Sequence, residues 1–253
     1  MPVSVALRPW VGSISVAIGG NGDGQPLIHL PDPAIVLVWR TTIDGRCDVF
    51  AVGPRTQASY YTGKDLPVCV KLRIRLGCAR LLLGVEADAL VDRVVRLGGL
   101  WGRWGDRLAD ELVELGSDSA LAVEHIQNAL LARLPDDRSD DLVRTGLVRN
   151  AVAGLSAGVD QPSVRVGDTA QRLGISERHL RNVFTRAIGV SPKHFARITR
   201  VRAVVAGVSS RSWAQLAGDA GFYDQSHMAA EFRKIMRVAP GAFTAGRLPV
   251  ARC

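Results

Sequence analysis

Between Glu177 and Ile188 a 3.6-residue period divides the side chains into two faces. Leu180, Val183, Phe184 and Ile188 fall on one; Glu177, Arg178, Arg181, Asn182, Thr185 and Arg186 fall on the other. The second set suits the grooves of a nucleic-acid duplex. A guanidinium can grip the N7 and O6 acceptors of guanine, and a carboxamide can match the donor and acceptor of adenine. A later stretch sets Gln225, Ser226, His227, Ala230, Arg233 and Lys234 outward, opposite inward Met228 and Phe232. It is less basic, and Ala229 and Ala230 offer a base little beyond contact with a thymine methyl. Direct readout is therefore expected mainly from the first stretch, with Arg233 contributing to all sites alike.

Each stretch needs a helix that presents it and a partner helix that braces it, and the chain supplies this arrangement twice. Ala170 and Gly174 recur as Ala217 and Gly221 at an offset of 47 residues. Leu180, Phe184, Pro192 and Phe195 recur as Met228, Phe232, Pro240 and Phe243 at an offset of 48, so the second turn has one extra residue. In the first copy Val166, Ala170 and Leu173 mark a short helix, and Gly174 lets the chain turn in the left-handed region. Ser176 is the expected N-cap of the next helix, with Glu177 favouring its positive end, and Gly189 closes it. Ser191 and Pro192 then start a joining helix that runs to about Ala206. Asp224 is the matching N-cap in the second copy.

The linked motifs Ala170 to Ser176, Phe184 to Pro192 and Gly221 to Ser226 resemble the DNA-binding domain of AraC/XylS-type transcription regulators, over roughly residues 151 to 246. The resemblance implies two recognition helices in successive major grooves on one face of double-stranded DNA. It places base contacts at Arg178, Arg181 and Asn182, and at Gln225, Ser226, His227 and Ala230. It also implies a regulator, more often an activator than a repressor, with RNA polymerase as a partner. Three positions depart from the family pattern. Arg237 stands where glycine is usual, Ala239 where serine or threonine is usual, and Trp213 where an aliphatic residue is usual. The end of the second recognition helix thus lacks its ordinary stop and the next helix its cap.

Charge separates the chain into two halves. Residues 1–150 hold 17 Lys+Arg against 18 Asp+Glu, a balance of −1, while residues 151–253 hold 15 against 6, a balance of +9. Phosphate neutralisation requires the excess to lie with the motifs, and it does. A chain of 253 residues, 47% hydrophobic, can fill two ordinary cores. The reading is an α+β protein. A β-rich domain with helices following it occupies residues 1–155, a linker residues 156–163, and an all-α DNA-binding domain residues 164–253.

In the first half SISVAIGG, AIVLVWRT, CDVFAVG and VCVKLRIRL read as strands, with NGDGQP and PDP as turns. Val68, Val70, Leu72, Ile74 and Leu76 alternate with Cys69, Lys71, Arg73 and Arg75, which marks a half-buried strand. Helices are expected at Glu86 to Val95, Trp104 to Leu115, Ser119 to Leu134 and Asp140 to Leu155, with the Trp101 and Trp104 cluster anchoring them to the strands. The run from Val68 to Gly102 is similar to the amino-terminal domain of a bacterial subgroup of the same regulators. That likeness implies a site for a small-molecule effector, or a role in forming a homodimer; the apolar helical faces of residues 104–155 suit the latter.

No catalytic residues, cofactor or metal are expected. The five histidines form no metal pattern, no G-x-S-x-G or phosphate-cradling loop is present, and Cys47, Cys69, Cys78 and Cys253 include no C-x-x-C pair. The amino terminus lacks the basic start and apolar core of a secretory signal, and no apolar run reaches twenty residues, so a cytoplasmic protein with no membrane partner is expected. The alternative function is a non-specific architectural DNA-binding protein without effector sensing. Operator discrimination of about 10³-fold or more would separate a regulator from it.

Overall fold

The computed structural model describes residues 1–19, 26–63, 66–134, 139–156 and 166–250. A β-rich amino-terminal half leads through helices into an all-helical carboxyl-terminal region, the α+β arrangement read from the sequence. The expected linker, residues 156–163, apart from Ser156, which ends a helix, and most of the NGDGQP turn lie outside the described residues.

Among the described residues seven strands make two antiparallel sheets. Strands β1 (Val11–Ile18), β3 (Val36–Thr41), β4 (Cys47–Val52), β6 (Val68–Ile74) and β7 (Val94–Arg96) form one sheet in the order β1-β6-β3-β4-β7. Strands β2 (Pro26–His29) and β5 (Ser59–Thr62) pair separately, with Ile28 opposite Tyr60. The alternation in β6 is as expected: Val68, Val70, Leu72 and Ile74 are buried, while Lys71 is exposed. The buried face carries Trp39 and Leu37 of β3 and Val49 and Ala51 of β4. It packs against α1 (Ala79–Leu83), α2 (Leu97–Trp101), α3 (Arg103–Glu114) and α4 (Ser119–Arg133). Trp101 is buried in that layer with the Arg133 guanidinium 5.5 Å from its ring centroid, as an anchor requires. Trp104 is half exposed.

One expected element is absent. Glu86 to Val95 is not a helix: a 3₁₀ turn spans Ala87–Leu90, and the chain then enters β7. Asp92 takes a left-handed conformation at φ 53°, which a helix interior does not accommodate. Val94 and Val95, β-branched and poor in helices, pair with Val52 and Ala51. Of the other expected helices, two appear as α3 and α4, and the third is α5 (Ser139–Ser156).

The carboxyl-terminal helices are α6 (Val166–Arg172), α7 (Glu177–Ile188), α8 (Pro192–Gly207), α9 (Trp213–Asp219), α10 (Gln225–Met236) and α11 (Pro240–Thr244). They fill two further cores, and each core takes in a piece of the preceding chain. Val148, Ala151 and Leu155 of α5 join Ala170, Leu180, Phe184 and Phe195 in the first. Ala58 and Tyr60, beside β2 residue Ile28, join Val201, Leu216, Met228 and Phe232 in the second. Among the described residues no helix is long and apolar enough to cross a membrane.

Candidate nucleic-acid interface

The first unit is α6, a turn and α7. Gly174 adopts φ 67°, and the Ser176 hydroxyl accepts the His179 amide at 3.2 Å, so the glycine turn and N-cap sit where the sequence places them. Leu180 and Phe184 are 1% exposed or less, which fixes the rotation of α7. Arg178, Arg181, Asn182 and Arg186 are therefore exposed together, with Thr185 at the margin and less accessible. Arg181 is held by Glu177 one turn back, with its Nε 2.9 Å from Oε1. Both side chains are about half exposed, so the pair is worth only about 0.3–0.5 kcal/mol and is readily exchanged for a base or phosphate.

The second unit is α9, a turn and α10. Ser212 and Gln215 form a reciprocal capping box at the start of α9, beside the unusual Trp213, whose ring meets Phe232 edge-on at 6.0 Å. Asp224 caps α10 through the His227 amide at 2.7 Å. Met228 and Phe232 point inward, leaving Gln225, Ser226, His227, Ala230, Arg233 and Lys234 exposed. The His227 ring lies edge-on to Phe222 at 5.5 Å, which steadies it at the head of the helix. Lys234 is not wholly uncommitted, since its Nζ lies 3.2 Å from Glu231.

α8 joins the units. It starts as expected, with Ser191 accepting the His194 amide at 3.3 Å and Pro192 in the first turn. Its inner face, Ile198, Val201 and Val204, is buried. Arg197 of α8 pairs with Glu231 of α10, a carboxylate only 7% exposed. Burial pushes the Glu231 carboxyl up, but hydrogen bonds from Arg197 and Lys234 outweigh it and hold it below the ordinary range. Arg200 donates to the Gly221 carbonyl at 3.3 Å and lies 4.9 Å from the Phe222 centroid, so it braces the second turn.

These bracing residues escaped the sequence reading. The usable signal was Glu231, an acid three residues after inward Met228 and four before inward Ile235. Tyr223 also escaped it, although it is 93% exposed in the turn that leads into α10. Lys193 stands exposed in the first turn of α8. Among the described residues no cluster of His, Cys, Asp or Glu could hold a metal ion.

Residues 169–246 match the model of a family described as a helix-turn-helix domain. These residues are a helix-turn-helix domain. Solved structures similar to the chain include a Chromobacterium violaceum transcriptional regulator with an AraC-type DNA-binding domain, at 22% identity, 41% of this chain, 94% of that chain and TM-score 0.37. The DNA-binding domain of AdpA, solved in complex with a target DNA, is similar at 23% identity over 41% of this chain and 90% of that one, TM-score 0.35. ToxT from Vibrio cholerae is similar at 13% identity over 92% of this chain and 98% of that one, TM-score 0.45. No curated protein matches the chain significantly. The matched residues contain α7 and α10 and the whole of α8 between them.

Proposed function

We propose that the protein is a sequence-specific transcription regulator, an activator acting with RNA polymerase in the cytoplasm, that reads two successive major grooves of double-stranded DNA. The observation that carries this is the duplicated unit whose two capped helices turn Arg178, Arg181 and Asn182, and Gln225, Ser226 and His227, to solvent on buried, rigid backs. α7 carries direct readout, while Arg233 and Lys234 of α10 bind phosphates.

Selection of duplexes from a random pool is the test. The wild type enriches one bipartite sequence over scrambled DNA by about 10³-fold. Arg181→Ala and Asn182→Ala each cost about 1–3 kcal/mol at one position of the first half-site and relax preference there. Arg233→Ala weakens all duplexes alike. Equal losses on selected and scrambled duplexes for all three variants would refute the assignment.

Residues 1–155 are the sensing and pairing domain, 156–163 the linker and 164–253 the DNA-binding domain. A groove of about 350 Å³ between α3 and α4, lined by Trp104, Arg107, Glu111, Glu124, His125 and Asn128, supports a small-molecule effector site there. Exposed Val113 of α3 and Leu121 of α4 support pairing of two copies through these helices. Sedimentation at micromolar concentration, with and without DNA, reads the pairing directly.

A further inference from the structure

Both recognition helices end against one small part of the amino-terminal half. α7 stops at Gly189, φ 85°, where a Cβ would stand 2.8 Å from Pro54 Cγ, 2.9 Å from Val91 Cγ2 and 3.0 Å from the Ala87 carbonyl oxygen. Only glycine fits there, both for its backbone conformation and for the space. The Gly189 amide closes the helix on the Thr185 carbonyl at 2.8 Å.

α10 ends differently. Its stop is Arg237, forced to φ 57°, and among the described residues no backbone bond from the Arg237 amide closes the last turn. Three of the four terminal carbonyls instead accept hydrogen bonds from a segment some 177 residues away in sequence. Gln57 Nε2 donates to Lys234 at 3.2 Å, the Ala58 amide to Ile235 at 2.8 Å, and the Tyr60 hydroxyl to Met236 at 2.5 Å. Tyr60 is 3% exposed, and burial pushes its phenol up to about 12, so the donor stays protonated.

The two contacts form one unit. The Asp92 amide donates to the Pro54 carbonyl at 2.8 Å, and Thr56 donates to the Asp92 carboxylate through its amide at 2.8 Å and its hydroxyl at 2.5 Å. This binds residues 54–60 to residues 87–92 and explains why Asp92 tolerates φ 53°.

We propose that residues 54–60 and 87–92 are a bracket that positions both recognition helices and supplies to α10 the cap that Arg237, in place of glycine, does not. The amino-terminal half is then part of the reading head, and occupancy of the second half-site requires it to be docked. The inference rests on the DNA-reading function proposed above. Gln57, Ala58 and Tyr60 are positioning residues: they act on DNA through α10.

The test uses the full chain as wild type, Gln57→Ala, Tyr60→Phe, and Tyr60→Phe combined with Arg237→Gly. Tyr60→Phe keeps the buried ring and removes one donor; Gln57→Ala changes an exposed side chain and guards against a folding artefact. Without DNA, Tyr60→Phe is expected to speed hydrogen exchange of the amides from Phe232 to Met236 about fivefold while α7 is unchanged, and Arg237→Gly to restore protection. With DNA, both single variants are expected to bind the selected bipartite duplex about five- to tenfold more weakly, and to lose only about twofold on a duplex whose second half-site is scrambled, where α10 keeps phosphate contacts alone. The added Arg237→Gly returns affinity to within about twofold of the wild type, because glycine closes the helix without help. Unchanged exchange in α10, or losses equal on both duplexes, would overturn the bracket. A wild type that prefers no sequence refutes the DNA reading instead, and the exchange measurement then decides the bracket alone.

Discussion

His29 is one of two histidines through which falling pH reaches the fold, the other being His194. His29 sits on β2 with Tyr61 edge-on at 5.4 Å. Burial, then the nearby Arg55 and Lys71 cations, pushes its imidazole down from 6.5 to about 4. The unfolded chain therefore binds a proton near pH 6.5 that the folded chain refuses until about 4. Stability is complete above about pH 6.5 and falls as pH drops from there to about 4, by about 2 kcal/mol once solvent screening of the partly exposed ring is allowed for. His29→Gln removes the His29 part of that slope and leaves that of His194, whose imidazole is also pushed down by burial. Urea midpoints of wild type and variant measured between pH 7 and 4 should therefore separate toward the acid end, with the wild type falling lower. Asp32 is neighbour to the same strand pair and acts only at lower pH. Burial pushes its carboxyl up, but Arg73, the Ala34 amide and Arg202 outweigh that and hold it below the ordinary range.

At the scale of elements the internal repeat offers a control within one molecule. Ser191 and Ala239 hold equivalent places with nearly the same backbone, φ −63° and ψ 153° against φ −69° and ψ 148°. Ser191 caps α8 with its hydroxyl, whereas Ala239 has no side-chain bond to offer α11. Ala239→Ser is expected to add about 0.5–1 kcal/mol, seen as a rise of roughly 2–4 °C in Tm. The repeat also explains what could be read in advance. Ser176, Asp224, Gly174 and the inward pairs Leu180 with Met228 and Phe184 with Phe232 were legible because each obeys a rule spanning only a few residues. The Arg197 to Glu231 pair and the bonds from Gln57, Ala58 and Tyr60 depend on which distant segments meet, and no local period encodes that. The missed β7 has the same origin: Val94 and Val95 extend because β4 lies beside them, and Asp92, not a proline or glycine, makes the break. The arginine at 237 was visible as a departure from glycine, but it still takes the left-handed stop at φ 57°, and the bonds that complete the helix end come from another part of the chain.

For the whole molecule, the spacing of α7 and α10 is set within the protein, and in the function proposed the DNA must conform. α8, with 16 residues, is about 24 Å long, while successive major grooves on straight DNA lie about 34 Å apart. The ends of α7 and α10 make up part of the difference. α8 has little freedom to tilt, because Arg197 ties it to α10 and Arg202 reaches the Pro31 carbonyl at 2.8 Å and the Asp32 carboxylate at 3.5 Å. A duplex engaged by both helices is therefore expected to bend toward the protein, at a cost of about 1–6 kcal/mol that the basic second half, at +9, offsets through phosphate contacts. Energy transfer between dyes at the two ends of a selected duplex should rise on binding. Placing a flexible TA or CA/TG step between the half-sites should tighten binding, and a stiff A-tract there should weaken it, with no change in contacted bases. Unchanged transfer at saturation, with equal affinity for flexible and stiff spacers, would mean that one helix alone is seated.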